Sequence, residues 1–357
     1  MNFMVTSFLG FVLASLLAIS LQIFFFTPTY PHNLQFPSPP VTFPTNNHLQ
    51  KVAKLGEGML LYPEDVCVDN KGMLYTATRD GWIKRMHSNG SWENWRKFNT
   101  DTLLGLTITA ANDLIVCDCI EGLLKVNEDG VSVLASEFNG TKLRFADDVI
   151  EASDGTLYFS VASTKYGLHD WYLDALEAKP YGQLLKYDPL TKEVSLVLDN
   201  LGFANGVALS KDQDYLIVCE SWKFRCLKYW LKSEIRGKTE IFIDNLPGAP
   251  DNINLAPDGS YWIALIQIYS SKLKFVHSSS AIRHLIITFP RLINLVNPAT
   301  TRATVVNVGE DGKIIKMLGD QDGKVMSFVT SAVEFEDNLY LGSLNTHFIG
   351  KLPLKTT

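Results

Sequence analysis

Pro63-Glu64-Asp65-Val66, Ala146-Asp147-Asp148-Val149, Ala204-Asn205-Gly206-Val207 and Pro250-Asp251-Asn252-Ile253 are four versions of one short theme. Each leads into a few aliphatic residues, a polar turn and a second apolar run. The turns read Asp69-Asn70-Lys71-Gly72, Ser153-Asp154-Gly155, Lys211-Asp212-Gln213-Asp214 and Pro257-Asp258-Gly259. Short strands joined by such turns are β-hairpins. Degenerate copies at Leu104-Gly105-Leu106 and Ser331-Ala332-Val333 bring the set to six. Hairpin units recurring at intervals of about forty residues or more predict a β-propeller with one blade per unit. The expected fold is therefore all-β, a six-bladed β-propeller.

Two residues before the first aliphatic of each copy stand Glu64, Leu104, Asp147, Asn205, Asp251 and Ser331. If each copy opens the innermost strand of its blade, these side chains meet at one height around the axis. Four of them offer carboxylate or amide oxygens, and three carry negative charge. Such a ring, buried, needs a counter-charge, and hard oxygen donors suit calcium. The plainer reading is that Asp and Asn open strands because they favour turns.

Hydrophobic residues make up 46% of the 357, enough for a core, and a propeller of this length is one domain. A formal net charge of -6, without a basic stripe interleaved with aromatics, excludes nucleic acid as the expected partner. A small-molecule substrate is the expectation.

Residues 1–26 carry no charged side chain and are long and apolar enough to cross a bilayer, as a cleaved signal peptide or a retained signal anchor. A proline-rich linker, 27–49, follows, and the propeller is expected over 50–357. Entry into the secretory pathway fits two sequons, Asn89-Gly90-Ser91 and Asn139-Gly140-Thr141. Of the five cysteines, Cys219 and Cys226 could close a hairpin by a disulfide or lie as two buried thiols.

Two stretches break the strand rhythm. Ser163 to Pro180 contains Tyr166, His169 and Trp171 and ends in a helix-like run; it reads as a loop over the axis that, with Trp222, binds substrate. Residues 268–308 hold Lys272, Lys274, Arg283, Arg291 and Arg302 with no acidic residue between Lys272 and Arg302, around a centre rich in Ile, Leu and Phe. This basic amphipathic insertion is expected between blades five and six. It reads as a lid, a membrane-surface contact or a helix packed on the rim.

Tyr181 to Pro189, Phe203 to Ser210, Glu220-Ser221-Trp222, Arg225 to Leu231, Asn245 to Ile253 and Leu341 to Leu344 together resemble the plant strictosidine-synthase-like family. The resemblance runs from about Leu55 to the C-terminus. It implies a six-bladed propeller of the wider paraoxonase, gluconolactonase and diisopropyl-fluorophosphatase superfamily, and a vacuolar or endoplasmic-reticulum setting. Strictosidine synthase itself condenses tryptamine with secologanin, using a glutamate just ahead of the last inner strand. Counting back from Leu339 to Leu344 places that position near Ser327, where there is no glutamate. The paraoxonase pattern, in contrast, falls on this chain. By that resemblance Glu64, Asp147, Asn205, Asp251 and Asn252 would hold a catalytic calcium, and Asp65 with Asp148 a second, structural one. Asp147 stands where the pattern has Asn.

The expected activity is calcium-dependent hydrolysis of esters, lactones or organophosphates, with Asp251 or Asp147 assisting water. The rival readings are a strictosidine-synthase-type condensation and a non-catalytic, calcium-pinned binding propeller.

Overall fold

Each copy of the theme opens a four-stranded antiparallel sheet, and the computed structural model contains six such sheets. It describes residues 2–26, 44–268, 271–292 and 301–356, so most of the expected linker, 27–49, lies outside the described residues. The inner strands of blades one to six are Val66–Val68, Leu103–Ile108, Ala146–Glu151, Ala204–Leu209, Gly248–Leu255 and Val329–Phe335. Blades one to five take their strands in chain order. Blade six borrows its outermost strand, Ala53–Leu55, from the N-terminal side of the propeller, pairing Ala53 with Lys351 and Leu55 with Ile349. That exchange closes the ring and removes two free sheet edges. Residues just ahead of 50 already pack on the propeller: Leu49 is fully buried, and Asn46 donates from Nδ2 to Met317 O while its Oδ1 accepts from Gly319 N.

A blade is too thin to bury its own faces, so the core lies between blades. Tyr75, Ile83 and Trp95 of blade one pack on Leu106, Leu114 and Val116 of blade two. Ile115 and Leu123 pack on Val149, Leu157 and Phe159 of blade three. Similar clusters join each later pair, and Val66, Leu74, Tyr340 and Ile349 seal blade six to blade one. Each fully buried Leu, Ile or Phe contributes roughly 1.5–3 kcal/mol, so the ring is held by six comparable interfaces. In blade four Cys219 and Cys226 face each other across paired strands and form a disulfide, which resolves the alternative left by their spacing.

The second and third strands of two blades are joined by helical excursions. In blade three Trp171–Glu177 forms helix α2; Asn2–Phe26 at the N-terminus is α1. In blade five Ser271–Ser278 and Ser280–Thr288 form α3 and α4. This corrects the expected position of the 268–308 insertion. It lies within blade five, between Tyr261–Ile268 and Ala303–Val308, rather than between blades five and six. The run of basic residues obscured the resumption of the strand at Ala303. The insertion's chemistry differs from its appearance too: Arg283 and His277 are buried, and Leu176 of α2 packs with Val276, Ile286 and Ile287. The two excursions thus make one helical cap over one face of the ring. Helix α1 touches α4, and its stretch Met4–Gln22, of mean hydropathy 2.2, is left unburied.

Candidate metal centre and cavity

The repeated theme is a β-bulge. Pairing between the first two strands jumps from Leu103 to Leu106, from Ala146 to Val149, from Ala204 to Val207 and from Pro250 to Ile253. The residues left over are Leu104-Gly105, Asp147-Asp148, Asn205-Gly206 and Asp251-Asn252. A bulge re-aims side chains that a regular strand would send to alternate faces. Here it turns each pair toward the axis, and Glu64-Asp65 takes the corresponding place just ahead of blade one's inner strand.

The first member of each pair faces a cavity of about 550 Å³, which Glu64, Leu104, Asp147, Asn205 and Asp251 line together. The structure therefore brings five of the expected axial positions to one floor. Asn252 reaches it from one residue deeper, donating from Nδ2 to Glu64 Oε1 at 3.0 Å. Burial pushes the Glu64 carboxyl well above its ordinary value, and neighbouring Asp65 and Asp251 push it further. Asp147 is raised by burial and then by Glu64, and Asp251 by burial and then by Asp147, against a hydrogen bond from Asn205. Three crowded carboxyls cannot all ionise here without a cation.

Whether the residues fit such a cation is visible in their unspent oxygens. Glu64 Oε2, Asn205 Oδ1 and Asn252 Oδ1 are buried without a hydrogen-bond partner, an arrangement costly enough to call for one. The donors are oxygen throughout, which matches calcium. The described His, Cys, Asp and Glu side chains do not by themselves form a group of three able to hold a metal, so the amides of Asn205 and Asn252 would be necessary ligands.

The expected second site looks different. Asp65 accepts from Val66 N (2.8 Å) on its own strand and from Leu106 N (2.9 Å) on blade two. Asp148 accepts from Val149 N (2.8 Å) and from Val207 N (2.8 Å) on blade four. Each carboxylate holds its own blade with one oxygen and clips it to a neighbouring blade with the other, satisfying amides that the bulges leave unpaired. Their place at the axis is as expected, but their oxygens are committed to backbone, which disfavours a structural ion between them. Asp65, buried, is nonetheless pushed up to about 6. Glycines in the bulges allow this closeness. A Cβ on Gly206 would stand 2.5 Å from Asp251 O, and one on Gly105 would stand 2.7 Å from Asp148 Oδ1.

Above the floor the walls are aromatic. Phe145, Phe203, Trp171, Trp222 and Phe328 line the cavity, and Phe203 stacks on Trp222 at 4.5 Å between ring centres. Trp222 is fixed by donating from Nε1 to Asp174 Oδ1 at 2.9 Å. Tyr62, Phe203 and Phe328, each just ahead of an inner strand, have φ of 51°, 63° and 51°. Left-handed backbone at bulky residues costs about 1–3 kcal/mol each and gathers at sites where a side chain must be aimed.

Of the expected substrate contacts, Trp171 and Trp222 line the cavity, and His169 stands at its exposed rim, with Nε2 3.6 Å from Asp101 Oδ1. Tyr166 does not reach it. Its hydroxyl donates to Glu177 Oε2 at 2.6 Å inside the α2 network, where it packs rather than binds. Asn89 and Asn139 are exposed in turns, accessible to modification. The residue that inspection of the sequence missed is Arg79. It follows the second strand of blade one, which ends beside the start of the inner strand, and it lines the cavity near Glu64. That antiparallel placement was the available signal.

The glutamate expected of a condensing enzyme is absent from this cavity. Ser327 is buried and accepts from Asn345 Nδ2, while Glu334 accepts from Trp262 Nε1 on a blade face. Among the described lining residues the one glutamate is Glu64.

With this geometry in view, comparison with known proteins is informative. Residues 147–234 match the family described as Strictosidine synthase, and residues 42–86 match Strictosidine synthase-like, N-terminal. Protein STRICTOSIDINE SYNTHASE-LIKE 4 of Arabidopsis thaliana is 35% identical over 84% of this chain and 81% of its own. The mouse (Mus musculus) adipocyte plasma membrane-associated protein is 32% identical over 92% of this chain and 85% of its own. Among solved structures, a gluconolactonase from Xanthomonas campestris superposes with a TM-score of 0.60 at 16% identity, covering 91% of this chain and 98% of that one. A calcium-binding protein, regucalcin, from Agrobacterium tumefaciens gives 0.55 at 14% identity over 82% and 90%. At such identities the structures speak for the fold alone, whereas the sequence matches are decisive: the chain belongs to the strictosidine synthase-like family.

Proposed function

We propose that this propeller is a calcium-dependent hydrolase of esters, lactones or organophosphates. The observation that carries the reading is the set of buried, unpartnered oxygens Glu64 Oε2, Asn205 Oδ1 and Asn252 Oδ1 at the floor of an aromatic-walled cavity. Glu64, Asp147, Asn205, Asp251 and Asn252 would hold one calcium. Bound there, it would polarise a carbonyl or phosphoryl oxygen as a Lewis acid. Regucalcin and gluconolactonase propellers share the fold.

The chain's own residues divide the remaining work. Asp251 lies beside Asn205, whose amide holds the Asp251 carboxyl down against burial and Asp147. The Asp147 carboxylate has no hydrogen-bond partner among the described residues and borders the cavity, so one of its oxygens can face substrate while the other holds the ion. Those properties make it the better candidate to take a proton from attacking water. Trp171, Phe203 and Trp222 would hold an apolar substrate and exclude solvent. Condensation is disfavoured because the cavity lacks a second glutamate.

In this reading α1 carries the chain into the secretory pathway, with the endoplasmic reticulum or vacuole as destination, and with α4 it brings the capped face to a membrane. The test is phenyl acetate and lactone turnover in calcium and in chelator, on wild type and Asp147→Asn. Metal-dependent turnover that drops in Asp147→Asn with calcium still bound is expected. Turnover indifferent to chelator would refute the reading.

A further inference from the structure

Among the described cavity-lining residues the only Arg or Lys is Arg79, and its bonding is half used. Nη1 donates to Asp101 O at 2.7 Å and to Leu103 O at 3.3 Å, which anchors the head group to the entry of blade two. No described carboxylate pairs with it within 4.0 Å, although its charge opposes the upward shifts of Glu64 and Asp147. Nε and Nη2 have no hydrogen-bond partner among the described residues. Those two nitrogens form one edge of the guanidinium fork, the geometry that takes a carboxylate in two parallel hydrogen bonds. The side chain is only half-buried and borders the cavity, so that edge is open to a ligand.

We infer that Arg79 is a specificity residue that receives the carboxylate of a singly anionic substrate whose apolar body lies against Phe203, Trp171 and Trp222. The inference rests on the hydrolase reading for its reaction but on Arg79 alone for its ligand. It also eases the charge at the floor. Glu64, Asp147 and Asp251 carry three negative charges there, and one divalent cation leaves a single charge that Arg79 balances, while the further carboxylate of Asp101 stands at the exposed, solvent-screened rim.

The test compares 4-nitrophenyl hydrogen adipate, whose free carboxylate is ionised, with neutral 4-nitrophenyl hexanoate in wild type, Arg79→Lys and Arg79→Met. The ratio of kcat/KM for the two esters is internal to each variant, so a less stable variant still reports. The ratio is expected to fall by about tenfold to a hundredfold in Arg79→Met, as for loss of a charge-assisted pair. It should fall in Arg79→Lys too, because Lys keeps the charge but not the fork. An unchanged ratio overturns the inference. If the wild type cleaves neither ester, the hydrolase reading fails separately, and Arg79 is judged by the rise in thermal midpoint produced by phenylacetate with calcium in excess. A rise lost in Arg79→Met sustains the inference. An equal rise in both proteins, or none in the wild type, overturns it.

Discussion

Replacing Asp148 by alanine removes one bond within blade three and the clip from blade three to blade four. Val149 N and Val207 N, each 2.8 Å from a carboxylate oxygen, lose their acceptors inside the core. A hydrogen bond to a charged group is worth about 1.5–3 kcal/mol, so the gross loss is about 3–6 kcal/mol. Asp148 also suffers burial and repulsion from Asp65, which its removal relieves. The net cost is therefore set near the lower end, about 3 kcal/mol. At roughly 2 °C per kcal/mol for a chain of this size, the thermal midpoint should fall about 6 °C. Asp148→Asn keeps one acceptor and should lose about half as much. The assay is thermal unfolding in saturating calcium, with bound metal counted on the same samples. A midpoint within about 2 °C of wild type would refute the clip. A full loss of calcium, with stability equal to the chelated wild type, would show that Asp148 is a ligand instead.

Further outcomes follow from the same geometry. Gly206→Ala forces a Cβ to within 2.5 Å of Asp251 O and Ile253 N, so it should destabilise by roughly 3 kcal/mol and weaken calcium binding together; calorimetry showing intact metal binding would contradict this. Tyr166→Phe removes a bond to a buried carboxylate and should lower stability by roughly 1.5–3 kcal/mol while leaving KM unchanged, since the ring does not line the cavity. The stabilisation given by calcium should grow from pH 5 to pH 8. In the metal-free fold Asp65 is raised to about 6, and burial raises Glu64, Asp147 and Asp251 well above their ordinary values, so protons are held more tightly than in the unfolded chain. Their contribution is present below about pH 4 and is lost as pH rises through those values, whereas calcium replaces the proton. A calcium-induced rise in midpoint that shrinks with pH would contradict this.

Much of the molecule was legible because its repeat falls on the residues that do the work. The bulge needs two residues between Ala146 and Val149, or Ala204 and Val207, and those pairs carry the axial oxygens. Blade number and the floor of the cavity could therefore be read together. What each oxygen touches could not. Asp65 and Asp148 share residue type with Asp147, and only the neighbouring amides Leu106 N and Val207 N, 41 and 59 residues away in sequence, distinguish a clip from a ligand. Arg79 stood outside the theme, in a turn after a second strand. Tyr166 looked like a lid aromatic because Glu177, its partner, appears in sequence as an ordinary helix residue. The insertion's helices hid the continuation of blade five for a similar reason, since strand pairing is non-local.

The most direct test of the account is calcium titration of purified, metal-stripped protein by calorimetry, wild type beside Asp251→Ala. The account predicts one tight calcium per chain in the wild type, a binding-linked rise in thermal midpoint, and loss of both in the variant. A wild type that binds no calcium, or that binds it equally well without the Asp251 carboxylate, would contradict the central claim that the axial oxygens are a metal centre.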